Sequence, residues 1–200
     1  MDKIPKKFIL FLSILFLTLI ITFLFSFKYV EKYSKLNIYQ SFKNLDLKTH
    51  QNKKISSLNL RGSSIFLFFG FTNCPEVCPT TLSILQNLIN QENRNNKPIK
   101  IIFVTLDPNR DDVDTLNDYL SSFDKFVIGI TGNIKELTKL AKYWNVYWEK
   151  IPYDQNDYNI NHTATVFMIN ENGDFSGTIA WGENENSQRL KIRSLIGKIN

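Results

Sequence analysis

The sequence predicts an α/β domain, a mixed sheet with helices on both faces, preceded by one N-terminal transmembrane helix. Three observations predict it. An uncharged apolar run extends from Phe8 to Phe27. Two more apolar runs, Ser64 to Thr72 and Ile99 to Leu106, flank a stretch with helically spaced leucines, the pattern of a βαβ unit. Near the end, Asn172-Gly173 joins two short apolar runs as a tight antiparallel turn. The sheet is therefore expected to be parallel early and antiparallel late.

The 200 residues suffice for one compact domain plus a tail, and 43% hydrophobic content supports a real core. The formal charge is +5, but Lys3, Lys6, Lys7 and Lys28 flank the first apolar run. Without that segment the charge is about +2. No basic face with interleaved aromatics stands out, so no nucleic-acid partner is expected.

Phe8 to Phe27 has only Ser13, Thr18, Thr22 and Ser26 as polar interruptions. Twenty residues at helical rise cover about 30 Å, the hydrocarbon thickness of a bilayer. The preceding lysines keep residues 1–7 cytoplasmic and send the rest across. A cleavable signal peptide is the competing reading. Its apolar region is shorter and ends in a small-residue site, which Ser26-Phe27-Lys28-Tyr29 does not offer. The reading is an uncleaved signal anchor at residues 8–27, a tether at 28–43 and a folded domain at 44–200. The expected location is the inner (cytoplasmic) membrane, single-pass, with the domain in the periplasm or an equivalent oxidising space.

Within the domain, Phe42 to Lys48 opens the fold and Gln51 to Lys54 is a turn. The strand Ser64 to Thr72 reads as buried on both faces, with Gly70 allowing close backbone approach near its end. From Cys78 onward Leu82, Leu85, Leu88 and Ile89 recur at helical spacing, and the Asn-rich stretch from Asn90 to Pro98 ends that helix. After the strand Ile99 to Leu106, a helix starting at Asp111 or Asp112 carries Val113, Leu116, Tyr119 and Leu120. Phe126 to Thr131 is a third strand. Asn133 with Glu136 has the form of a capping box, and its helix turns Leu137, Leu140, Ala141 and Trp144 inward. Tyr153 to Asn161 reads as a hairpin or loop. Thr163 to Ile169 and Phe175 to Ala180 pair antiparallel, and Gln188 to Ile199 is a last amphipathic helix.

Both cysteines, Cys74 and Cys78, fall at the turn between the first strand and its helix. Thiols at i and i+4 near a helix start lie about 5–6 Å apart between Cα atoms, within disulfide range. The positive helix end favours thiolate, which improves both nucleophiles and metal ligands. A self-sufficient zinc site would want four ligands, and the chain has only two cysteines and two histidines, His50 and His162. The pair is a redox couple, part of a metal site, or two plainly buried small residues. Two thiolates are soft and favour Cu(I) or zinc, and Cu(I) accepts two sulfurs plus one nitrogen. His162, opening the last apolar run, is the candidate nitrogen, with a structural turn histidine as the alternative. His50 reads as a surface residue.

At these residues the sequence resembles the SCO/SenC family, membrane-anchored copper-binding proteins of cytochrome c oxidase assembly with a thioredoxin-like fold. Phe69 to Pro79 resembles the family's Cys-Pro-x-x-Cys-Pro signature. Thr105 to Asp111 resembles its Asp-Pro-x-Arg-Asp segment, Ile128 to Gly132 its Gly-x-Thr-Gly turn, and Asn161-His162-Thr163 its Asp-His-Thr. The resemblance covers most of residues 44–200 in order. It implies that Cys74, Cys78 and His162 jointly bind one copper, as Cu(I) first and Cu(II) as the alternative. His162-Thr163 stands where thioredoxins carry cis-proline and threonine beside their thiols. Two departures are Asn161 for the usual Asp, whose carboxylate could tune the imidazole, and Asn73 where a histidine is common. Asp107 and Arg110 read as loop and ion-pair structure, with contact to a partner protein as the alternative.

The function expected from this resemblance is a copper metallochaperone, not an enzyme. Its partners would be the copper-acceptor subunit of the oxidase and an upstream copper donor or thiol reductant. The alternative is a thiol–disulfide oxidoreductase, with Cys74 and Cys78 redox-active, that keeps the oxidase copper-site cysteines reduced. A third reading is a membrane-tethered interaction module whose cysteines form a disulfide.

Overall fold

The computed structural model describes residues 6–34, 36–154 and 157–197. Residues 1–5 of the expected cytoplasmic segment, and the last residues of the expected C-terminal helix, lie outside the described residues. The chain divides into two units, Met1–Lys35 and Leu36–Asn200.

The first unit is a single helix, α1 (Lys6–Ser34), whose stretch Lys7–Ser26 is long and apolar enough to cross a membrane. The hydroxyls of Ser13, Thr18 and Thr22 donate to the carbonyls of Leu10, Leu15 and Leu19 at 2.8–2.9 Å. These three of the four polar interruptions are thus satisfied inside the helix, as a hydrocarbon environment would require.

The expected tether is not found as such. Residues up to Ser34 continue α1, and Leu36 onward belongs to the second unit. Asn37 caps a short helix, α2 (Ile38–Ser41), and its side chain donates to Asp174 at 2.7 Å. Leu36, Ile38 and Phe42 are buried in the core. Their apolar burial turns a stretch that reads as polar linker into part of the domain.

The core sheet has the order β1-β4-β3-β2-β7-β8. Its centre is β2 (Ser64–Gly70), buried along its whole length, which pairs parallel with β3 (Ile99–Thr105). On the other side β2 pairs antiparallel with β7 (Thr165–Ile169), and β7 with β8 (Phe175–Ala180). Beyond β3 lies parallel β4 (Val127–Gly132), then the three-residue antiparallel edge β1 (Leu47–Thr49). The expected change from parallel to antiparallel pairing holds for the sheet, and β1 is an added antiparallel edge.

The helices of the domain are α3 (Val77–Glu92), α4 (Val113–Leu120), α5 (Ile134–Tyr143) and α6 (Glu185–Ile196). Leu82, Leu85, Leu88 and Ile89 of α3 are buried, as are Leu137, Leu140 and Ala141 of α5 with Trp144 just beyond it. Asp112 caps α4, accepting from the Thr115 N–H at 2.8 Å. Asn133 caps α5 through the Lys135 N–H, but Glu136 does not close a capping box. Its carboxylate pairs with Lys139 at 2.7 Å, one turn on. Gly173, at φ +85° in the β7–β8 turn, has the Tyr39 ring where a side chain would start.

A separate two-stranded sheet, β5 (Trp148–Asp154) with β6 (Asp157–His162), stands apart from the six-stranded one. The sequence reading anticipates a hairpin or loop only from Tyr153 onward, and β5 begins five residues earlier. Glu149, Lys150 and Pro152 hide it by breaking any apolar run.

Candidate metal centre

The strand β2 stops at Gly70 because the next residues turn toward α3. A Cβ on Gly70 would lie 2.7 Å from Phe103 Cε2 and 2.8 Å from Cys78 Sγ, so the thiol occupies the space that glycine leaves. The following loop is fastened from below by Asp111, which is fully buried. Its carboxylate accepts from the Thr72 N–H at 3.0 Å, the Thr72 hydroxyl at 2.5 Å and the Thr105 hydroxyl at 2.5 Å. The Thr131 hydroxyl adds a bond to the Asp111 carbonyl at 2.8 Å. Burial pushes the Asp111 carboxyl up, against the pull of these hydrogen bonds.

That loop buries both cysteines, Cys74 with 9% of its surface still exposed and Cys78 with none. Both are free thiols. Helix α3 has no oxygen cap at its start. Instead the Cys78 N–H donates to Cys74 Sγ at 3.4 Å. A sulfur thus occupies the capping role, where the amide donors and helix dipole favour negative charge. Its thiol is held down at about 4, first by the hydrogen bond from the Cys78 thiol, then by His162 and the Cys78 and Glu76 amides, against burial. The same hydrogen bond and burial push Cys78 up. The pair therefore surrenders its first proton from Cys74 and retains the second on Cys78.

His162 ends β6, and its Nε2 lies 3.7 Å from Cys78 Sγ. Its Nδ1 lies 3.1 Å from the Thr163 carbonyl oxygen. A carbonyl can only accept, so the Thr163 contact calls for a proton on Nδ1, and in that tautomer the Nε2 lone pair faces Cys78 Sγ. The rings of Phe68 and Phe71 meet the imidazole edge-on, at 6.3 and 5.9 Å between centroids. Asn161, in the position where a carboxylate could have tuned the ring, faces Glu149 at 3.5 Å instead. A cavity of about 240 Å³ opens here between Phe71, Cys74 and Glu76 on one side and Asn159 and His162 on the other.

The fold thus brings Cys74, Cys78 and His162 together from two distant parts of the chain. Among the described residues, no three Cys, His, Asp or Glu side chains already stand in a metal-holding group. The donors converge but are not closed around a point. Two cysteine sulfurs with an imidazole nitrogen would make a soft donor set that suits Cu(I) better than a hard cation.

Asp107 is fully buried, so it has no surface to offer a partner protein. Its carboxylate is used within the chain, by Arg110, by the Tyr158 hydroxyl at 2.6 Å and by Lys150 at 3.7 Å. Tyr158, Lys150 and Thr72 escape a sequence reading because their partners lie on other elements. His50 is half-buried rather than a surface residue. Its Nδ1 accepts from the Gly129 N–H at 3.1 Å, joining the chain beyond β1 to β4, and burial lowers its pKa.

A family model described as SCO1/SenC matches residues 32–197. The chain is 29% identical over 144 residues to the mitochondrial protein SCO2 homolog of Homo sapiens, across 70% of this chain and 53% of that protein. It is 33% identical over 126 residues to an SCO2-like protein of Rickettsia prowazekii, across 62% of each. The match therefore spans between half and two-thirds of these relatives' own length. Among solved structures, Bradyrhizobium japonicum ScoI with copper bound aligns with a TM-score of 0.68 at 28% identity, covering 76% of this chain and 96% of that one.

Proposed function

The chain belongs to the SCO1/SenC family, and from that premise we propose that it is a membrane-anchored copper carrier for cytochrome c oxidase assembly. In this reading Cys74, Cys78 and His162 take up one copper ion, and the domain passes it to the copper-acceptor subunit of the oxidase. The observation that carries the reading is the 3.7 Å approach of His162 Nε2 to Cys78 Sγ, beside a Cys74 thiol already inclined to ionise. The copper bound by the Bradyrhizobium relative supports it.

Each donor has a part. Cys74 receives the cargo first, because it ionises first and retains some surface. Cys78 gives up its proton on coordination, which removes the reason for its raised pKa. His162 adds a neutral nitrogen, so the cargo leaves by ligand exchange without a fourth protein ligand. Helix α1 anchors the chain in the inner membrane, with the domain in the periplasm or an equivalent space. Sharing one membrane with donor and acceptor raises their effective concentration.

The test uses the full-length chain, reduced and in detergent micelles. It is expected to take about one Cu(I) per chain in competition with a chelator, while Cys74→Ser with Cys78→Ser takes none. Unchanged stoichiometry in that double variant would remove the site assignment.

A second reading is favoured by the opposite pKa shifts of the two thiols, a nucleophile beside a protonated resolving thiol. In it Cys74 attacks a substrate disulfide, Cys78 displaces the product, and the chain ends as a Cys74–Cys78 disulfide awaiting an upstream reductant. Steady-state reduction of oxidised oxidase subunit without copper discriminates the two.

A further inference from the structure

We propose that the loop Asp107–Asp111 is a clamp that sets the distance between the thiol pair and His162, with Asp107 and Arg110 as positioning residues for the histidine. The proposal rests on the reading of His162 as a ligand.

The loop grips both halves of the site. At one end Asp111 holds Thr72, two residues before Cys74, through three hydrogen bonds shared with Thr105. At the other end the loop holds the β5–β6 hairpin. Buried Asp107 accepts the Tyr158 hydroxyl at 2.6 Å and lies 3.7 Å from Lys150 Nζ. Arg110 pairs with Asp107 through Nε, while its Nη1 donates to Asp157 Oδ1 at 2.8 Å and to the Tyr158 carbonyl at 2.9 Å. The Arg110 guanidinium and the Lys150 ammonium both lie 3.9 Å from the centre of the Tyr158 ring.

The hairpin needs such a hold. Among the described residues its strands pair with each other as a two-stranded sheet, separate from the six-stranded one. An isolated pair of strands is marginal in water. Tyr158, Ile160 and His162 alternate along β6, so they share one face, and Ile160 on that face is buried. Fixing Tyr158 therefore fixes the side to which His162 points. The His162 imidazole meets Thr163 O, Cys78 Sγ and the rings of Phe68 and Phe71, while its backbone is placed by β6 opposite Trp148. Arg110 suits the task because one planar group can stack on the ring and fork to two acceptors, which an ammonium cannot do.

Removing Asp107 would strand cations at a buried position, so the informative variants are Arg110→Lys, Arg110→Gln and Tyr158→Phe. Arg193→Gln, in a separate ion pair with Glu92, serves as the control for general loosening. Amide hydrogen exchange is measured first, on the metal-free full-length chain in micelles. Residues 148–162 are expected to exchange about tenfold faster in the Arg110 variants, with β2 and α3 unchanged, as loss of charge-assisted bonds predicts. Cu(I) affinity is then measured in the same variants with and without His162→Ala. Arg110→Gln is expected to weaken binding about tenfold with His162 present and to have no effect once His162 is gone. Hairpin exchange equal to that of the parent would overturn the clamp. So would an affinity loss that persists without His162, or one that Arg193→Gln reproduces. If His162→Ala alone binds copper as the parent does, the ligand reading fails, and the exchange result shows separately whether the loop holds the hairpin.

Discussion

Gly70→Ala tests the link between the strand end and the thiol most directly. The new methyl would begin 2.7 Å from the Phe103 ring and 2.8 Å from Cys78 Sγ, both closer than real Cβ contacts. Neither neighbour has room to retreat, since Phe103 and Cys78 are both fully buried. Overpacking a filled core costs about 1–3 kcal/mol. For a domain of this size that corresponds to a fall in Tm of roughly 2–12 °C. Any shift of the sulfur also changes its 3.7 Å approach to His162, so Cu(I) affinity should fall with stability. Thermal unfolding of the full-length chain in micelles, followed by near-UV circular dichroism, reads the first effect. Cys78→Ala supplies the internal check, because it removes one of the two clashing atoms. The cost of Gly70→Ala should shrink in the Cys78→Ala background, by an interaction of about 0.5–3 kcal/mol between touching groups. An unchanged melt for Gly70→Ala, or equal costs in both backgrounds, would refute the packing argument.

Two further expectations concern protonation. At pH 6 the Cys74 thiol lies above its lowered pKa of about 4, whereas Cys78 is raised and has no exposed surface. Brief treatment of the metal-free protein with iodoacetamide should alkylate Cys74 alone by peptide mass, and prior labelling of Cys78 would contradict the assignment. Asp111 has a folded pKa raised above its unfolded value. Its protonated form therefore contributes stability that is fully present below about 3.9, the unfolded pKa, and is lost as pH rises through the folded value. The destabilisation caused by Asp111→Asn, about 1–3 kcal/mol for the acceptor bonds it forfeits, should accordingly be larger at pH 4 than at pH 7. A difference that grows with pH would reverse the sign and discard the desolvation argument.

The parts of the fold legible in the sequence are those whose burial leaves a local period. β2 and β3 are nearly continuous apolar runs because both faces are covered, and α3 repeats its leucines because one face is. The turn that carries Cys74 and Cys78 is legible for the same reason, as the junction of two such elements. Leu36, Ile38 and Phe42 left a fainter trace, because a polar setting of Asn37, Tyr39 and Gln40 surrounds three buried side chains. β5 left none. Its Lys150 lies 3.7 Å from Asp107, some forty positions upstream, and an ion pair between distant segments imposes no spacing on either. His162 is the mixed case. Its approach to Cys78 depends on topology, so residue types alone left it open, and the family resemblance supplied what periodicity could not.

The three proposed donors also differ in the kind of element that carries them, and this bears on what the site can do. Cys78 begins a sixteen-residue helix and is completely enclosed, so it is the fixed point. Cys74 sits on the loop before that helix, and His162 at the end of a two-stranded hairpin. A site built to retain a metal would draw its ligands from rigid elements and close them into a preset geometry. Here one proposed donor lies in a helix and the other two on a loop and at a hairpin end, and among the described residues the set is not closed around a point. On the proposed reading that asymmetry suits a cargo. Cys74, whose thiol ionises more readily than that of Cys78, can be exchanged for an acceptor's thiolate while Cys78 and His162 still hold the ion. The acceptor should then pass through an intermediate that still depends on Cys78. Cys74→Ser should therefore slow loading more than it slows release, whereas Cys78→Ser should impair both. Equal effects of the two substitutions on loading and release, followed by stopped-flow competition with a chelator, would count against any order of exchange among the ligands.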